Sequence, residues 1–270
     1  MIKKIFRACW LALVLLFMYC PILILVVYSF TDTAIIGTSG NLSFKNYITL
    51  FTTSDLRNMI IGTLVLALVS GLIATVLGTF GAIGAFYSRK SAKGFLMLAN
   101  QIPVVNADVV TGFSICVLLI VVIGVEKSTF IPLIIGHTAL CTPFVFLSVL
   151  PRLKQMDPSL YEAARDLGAS PSQALYRVVF PQIVPGIVSG FFLSVTLSLD
   201  DYFITTYTKP ATFDTISTYV VNATKGSQTA IKTALWALST VFFVVIIVAV
   251  IVMNTASSRK AGDDIEKANA

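Results

Sequence analysis

Three aspartates stand where carboxylates are costly: Asp108 inside one long apolar run, and the adjacent pair Asp200-Asp201 near the end of another. An ionised Asp at mid-bilayer costs about 3 kcal/mol on insertion scales, so such residues usually face a cavity and have a task. Each run is entered from a basic flank, and a helix rises about 1.5 Å per residue. Asp108 then lies about 20 Å along its run and Asp200 about 24 Å along its own. At similar heights, the carboxylates are expected to converge on one ligand, with Asn106 and Tyr202 as further polar and aromatic contacts. Carboxylates beside an aromatic ring suit a cationic amine, through charge pairing and cation–π attraction. The plainer alternative leaves Asp200-Asp201 at a membrane surface or paired with Lys209. His137, the single histidine, is expected to hydrogen-bond to another helix, with a proton relay or metal as the sharper alternative. Cys9, Cys20, Cys116 and Cys141 lack metal or C-x-x-C spacing and read as small buried thiols.

A second constellation is polar. The segment from Arg152 to Pro181 lies between two apolar runs. Asp157 before Pro158 is a helix start, with a carboxylate cap and proline at the first helical position. Leu160, Ala163, Ala164 and Leu167 follow on one face at helical spacing, and Gly168 supplies a left-handed end. Ser170-Pro171 opens a second short helix, which Pro181 is expected to stop. The small Ala163-Ala164 pair permits close approach of another surface, with Glu162 and Arg165 as polar contacts at its edge. An interfacial helix lying on headgroups is the alternative, but two alanines give it little apolar area.

The elements that must position these residues are membrane helices. The chain has 270 residues, of which 56% are hydrophobic and 12% charged, and its mean hydropathy is +0.88. A span needs roughly 20 apolar residues. Runs at about 9–30, 59–86, 95–124, 129–150, 184–206 and 233–254 meet that length, predicting an all-α bundle of six transmembrane helices in one domain, residues 1–270. Between the fourth and fifth lies the polar loop 152–183, and the tail 256–270 is polar and expected to be disordered. The basic start and long apolar run at the N-terminus read as an uncleaved first span, not a secretion signal. Of the 19 Lys and Arg, thirteen fall on the side of the termini and the 152–183 loop, against six opposite. That bias puts both termini and the loop in the cytoplasm. It also accounts for the net charge of +6, with no basic face for nucleic acid. Gly71, Ala74, Thr75, Gly78, Gly81, Ala82 and Ala85 form a small-residue stripe, which implies a closely packed partner helix. Pro21, Pro103 and Pro143 are candidate kinks. The stretch from Asn41 to Phe51 suits a short interfacial helix.

The spacing Glu162-Ala163-Ala164, three residues, Gly168, nine residues, Val178, one residue, Phe180-Pro181 resembles the EAA loop of ATP-binding-cassette importer permeases. Ala107-Asp108-Val109-Val110, the stretch from Glu162 to Ser170, and Leu197-Ser198-Leu199-Asp200-Asp201 are similar to the spermidine/putrescine permease subunits of bacterial polyamine importers. This resemblance implies a type I importer permease fold in the bacterial inner membrane and a coupling role for Glu162, Ala163, Ala164, Arg165, Gly168 and Pro181. It implies a second permease subunit in a heterodimer, two ATPase subunits and an extracytoplasmic substrate-binding protein. The chain has no G-x-x-x-x-G-K-[ST] phosphate loop, so ATP and Mg are expected on the partner ATPase and no cofactor on this chain. An importer of another substrate, such as ferric iron or thiamine, and a secondary cation transporter are the competing readings. An intramembrane aspartyl protease fits poorly, because the paired aspartates are adjacent on one helix.

Overall fold

A computed structural model describes residues 2–33, 40–157, 159–225, 233–241, 243, 244 and 247. The regular structure of these residues is helical, apart from an isolated bridge between Thr31 and Leu42. In order the helices are α1 (Ile2–Ser29), α2 (Lys45–Thr52), α3 (Ser54–Tyr87), α4 (Lys90–Val105), α5 (Asp108–Cys116) and α6 (Ile131–Gln155). Then come α7 (Ser159–Asp166), α8 (Pro171–Ala174), α9 (Phe180–Asp200), α10 (Phe203–Thr208) and α11 (Ile216–Lys225). Short π-helical stretches extend α5 to Val122 and join α8 to α9.

Among the described residues, four helical stretches are long and apolar enough to cross a membrane: Cys9–Ser29, Ser54–Tyr87, Ile131–Gln155 and Pro171–Asp200. The expected third span is not one straight helix. It is α4 and α5, bent by 105° at a break between Val105 and Asp108. Asn106 and Ala107 are extended there, with ψ of 143° and 135°. Asp108 then opens the new helix, where a carboxylate favours the N-terminal dipole. Of the candidate kinks, Pro103 lies in the last turn before this break, whereas α1 and α6 run through Pro21 and Pro143. The expected fifth span ends earlier than 206, at Asp200. For the expected sixth, residues 233–241 are helical, while most of 242–254 lies outside the described residues. The polar tail and Pro158 also lie outside them.

The described residues fall into two units, Met1–Arg57 with Val220–Ala270, and Asn58–Tyr219. In the first, Asn46 of α2 donates to the carbonyls of Ser29 (2.9 Å) and Thr31 (2.8 Å), satisfying acceptors left over at the end of α1. The rings of Phe30 and Tyr47, 5.1 Å apart, pack beside this cap.

The second unit is built on small residues. A Cβ on Gly78 of α3 would stand 2.6 Å from the Val145 Cβ and 2.8 Å from the Thr142 carbonyl of α6. Ala74, Ala82 and Ala85 of the same stripe are wholly buried. On α9, Gly190 approaches the Val145 Cα and Gly186 the Ser148 carbonyl. Helices in lipid gain nothing from hydrophobic exclusion against one another, so this closeness is their main source of attraction. Cys141 belongs to the same core, whereas Cys9 and Cys20 are exposed on α1 and so depart from the buried-thiol expectation.

Candidate functional site

The segment after α6 is built from local caps. The Asp157 carboxylate accepts the Ser159 N–H at 2.9 Å. Side-chain and backbone hydrogen bonds from Ser159 hold its carboxyl below the usual carboxylate range. At the other end of α7, Gly168 has φ of +87°. Its N–H donates to the Arg165 carbonyl and that of Ala169 to the Ala164 carbonyl, the two bonds of a Schellman end. Arg165 also donates through Nη1 to the Ala169 carbonyl at 2.7 Å. Ser170 and Gln173 then form a reciprocal capping box with Pro171 in the first turn.

Pro181 does not stop the helix it follows. Residues Pro171–Asp200 form one continuous helix, in which Pro181 sits in the first turn of α9. The π-helical stretch at Leu175–Val179 explains the difference. There the Phe180 N–H reaches back five residues to the Leu175 carbonyl, so the ladder is already changing register where proline lacks a donor.

One side of this helix–turn–helix is anchored and the other bare. The ring of Tyr161 packs tilted against that of Tyr87, with centroids 5.2 Å apart, and Ala174 and Val179 are buried. Leu160, Glu162, Ala163, Arg165 and Gly168 are exposed, and Leu167 is 90% exposed. Of the four residues on the expected apolar face, only Ala164 is half-buried.

The aspartates separate into two kinds. Asp108 is exposed at the start of α5, beside an exposed Asn106 whose Nδ2 donates to Thr111 at 3.0 Å. Asp200 is exposed at the last position of α9, and Tyr202 is half-buried. Asp201 is buried, unlike the other expected acids Asp108 and Asp200. Its carboxylate accepts the N–H groups of Ile204 (3.3 Å) and Thr205 (2.8 Å) and the Thr205 hydroxyl (2.8 Å), capping the first turn of α10. Lys209, the alternative partner, instead pairs with Asp214 at 2.7 Å. The helices that carry the two regions do meet. A Cβ on Gly112 of α5 would lie 2.9 Å from the Ile204 Cα of α10, and Phe113 packs edge-on to Tyr207. No hydrogen bond joins Asp108 to Asp200 or Asp201 among the described residues.

His137 does bond to other helices. Its Nδ1 lies 2.7 Å from Ser198 Oγ of α9 and its Nε2 2.9 Å from Thr205 Oγ1 of α10. Ser198 in turn lies 3.2 Å from Ser70 of α3. Nothing in the sequence marks these hydroxyls, because Ser and Thr in apolar helices commonly bond their own preceding turn, as Ser70 does to Leu66. Chemically, the exposed acids offer anionic oxygens to a cation, while the buried acid has its oxygens engaged.

Comparison with known proteins places these features in a family. Residues 74–262 match the profile of the "Binding-protein-dependent transport system inner membrane component". The putrescine transport system permease protein PotI of Escherichia coli K12 is 31% identical over 211 residues, covering 74% of this chain and 75% of that one. The spermidine/putrescine transport system permease protein PotC of Shigella flexneri is 27% identical, covering 98% of this chain and all of that one. In fold, the chain is similar to a bacterial ABC transporter that imports alginate, with a TM-score of 0.70 and 23% identity over 93% of this chain and 96% of the other.

Proposed function

The chain belongs to the family of binding-protein-dependent transport system inner membrane components, and from that membership we propose that it is one of two permease subunits in an ATP-driven importer of polyamines. It lies in the inner membrane with six spans and both termini in the cytoplasm, in the type I importer permease fold. A companion permease completes the translocation path, two ATPase subunits bind ATP and Mg, and an extracytoplasmic binding protein delivers the substrate. The chain itself is non-catalytic.

The observation that carries this reading is the 157–170 helix–turn. Its ends are fixed by caps, one side is anchored on the core, and Leu160, Glu162, Ala163 and Leu167 are left bare. A bare small-residue face on a rigid mount suits insertion into a groove of another subunit. Glu162, Ala163, Ala164, Arg165 and Gly168 then make or shape the contact, and Pro181 lies on the helix that leads away from it. ATP binding closes the ATPase pair and opens the permeases outward; hydrolysis resets them inward. The polyamine reading rests on the relatives named for putrescine and spermidine transport, which match most of the chain. It is supported by the exposed acids Asp108 and Asp200, with Asn106 and Tyr202 beside them. These contacts are transient, because equally tight binding in both states shifts no equilibrium.

Reconstitution of the whole complex in vesicles tests the reading. ATP-dependent uptake of spermidine or putrescine, with hydrolysis stimulated by the loaded binding protein, is the expected result. Uptake of ferric iron or thiamine alone would reassign the cargo. Uptake that survives loss of the ATPase but stops when the proton gradient collapses would make the protein a secondary transporter.

A further inference from the structure

Asp200 and Asp201 are adjacent, yet one is exposed and the other is 8% exposed with its carboxylate engaged. An ionised carboxylate only accepts, so the single Thr205 hydroxyl proton goes to Asp201 Oδ2 at 2.8 Å. His137 Nε2 approaches the same hydroxyl oxygen at 2.9 Å and must therefore donate to it. In a neutral ring, Nδ1 is then left to accept from Ser198 Oγ, 2.7 Å away. The ring is wholly buried, so neither nitrogen has water as an alternative. His137 Nε2 and Asp201 Oδ2 are 3.6 Å apart, beyond hydrogen-bond range, and Thr205 is the link between them.

One imidazole on α6 thus grips α9 before its break and α10 after it. The break itself is short: Asp200 ends α9, Asp201 is extended with ψ of 127°, and Phe203 begins α10. Asp200 and Tyr202 lie inside this clamp, and neither is a member of it. We propose that His137 is a positioning residue that fixes both sides of the α9–α10 break and so sets where Asp200 and Tyr202 stand. Of the two neighbouring aspartates, Asp200 meets the cation and Asp201 holds the frame. The assignment of a cation to Asp200 rests on the polyamine reading above; the clamp does not.

The test uses the complete transporter and two readouts. In spermidine uptake, Asp200→Asn raises KM about tenfold, the loss of one charge-assisted contact, with the unfolding temperature unchanged. Asp201→Asn keeps one carbonyl oxygen to cap α10 but loses the second acceptor, so it lowers the unfolding temperature, while it raises KM less than Asp200→Asn does. His137→Leu raises KM at near-normal kcat. His137→Gln restores most of it, because its amide both donates and accepts. A KM rise for Asp201→Asn equal to that of Asp200→Asn, at unchanged unfolding temperature, would put Asp201 on the substrate and overturn the proposal. So would a His137→Leu variant that loses stability but keeps its KM. The second readout needs no substrate. With Cys9, Cys20, Cys116 and Cys141 replaced, Asp200→Cys is labelled with a charged thiol reagent. His137→Leu changes the labelling rate severalfold and His137→Gln restores it; equal rates in all three refute the clamp. Failure of the unaltered complex to move any polyamine would sink the polyamine reading alone, leaving the labelling result to decide the clamp.

Discussion

The 157–170 turn and the 198–205 break both redirect a chain between helices, and both rely on side-chain caps. In the turn, each cap bond spans at most five residues: Asp157 to Ser159, Ala164 to Ala169, Ser170 to Gln173. In the break, the local cap of Asp201 on α10 is backed by the bonds of His137 to Ser198 and Thr205, 61 and 68 residues away in sequence. A structure assembled from local bonds forms with its own short stretch of chain and tolerates a bare surface. A structure assembled across three helices exists only when those helices have packed. The first can be offered to a partner; the second sets a geometry inside the fold.

Substitutions separate the two by how far damage spreads. Asp201→Ala removes three hydrogen bonds from buried donors, at a cost of about 3 kcal/mol. It should lower the unfolding temperature of the whole chain in detergent; an unchanged transition would show that the break is held by packing alone. Gly168→Val forces a branched side chain to φ of +87°, at about 1–2 kcal/mol. Apart from the adjoining chain, nothing lies within 4 Å of an added Cβ, so the strain is in the local backbone. Global unfolding should hardly move, while uptake and coupled ATP hydrolysis fall, as they should for Glu162→Ala. Full activity in both variants would remove the turn from coupling. Ser170→Ala loses one side of the capping box, about 1 kcal/mol, visible as faster amide exchange at Gln173 and nowhere in the break. The smallest effect is the pH response of Asp157. Because its folded carboxyl is more acidic than in the unfolded chain, its contribution is complete above the ordinary Asp pKa of about 3.9 and disappears as pH falls through the folded value. Exchange at Ser159, corrected for intrinsic rate, should accelerate on acidification, and Asp157→Asn should abolish that dependence.

The same contrast explains what the sequence disclosed. Asp157, Gly168 and Ser170-Pro171 act on their own neighbours, so their residue types and spacing were sufficient to draw the turn. The small-residue stripe of α3 announced a close partner but not which one, since any helix can fill a groove lined by Gly and Ala. Asp201 shows the same limit, because an acid in an apolar run can serve a ligand or cap a helix. Choosing between them requires knowing that Thr205 and His137 are at hand. The break at Asn106-Ala107 was hidden by apolar residues on both sides, and Pro181 was misread because the register change of the preceding turns leaves no mark in composition.

The unbroken helix from Pro171 to Asp200 has a mechanical meaning. At about 1.5 Å per residue it is a strut of about 45 Å. The capped turn is seated at its foot and the clamped break at its head. A strut without a joint delivers at one end whatever displacement is imposed at the other. Its backbone ladder changes register at the π-helical stretch Leu175–Val179 and lacks a donor again at Pro185. How much of a displacement imposed at the foot would arrive beside Asp200 then depends on how far those two interruptions yield.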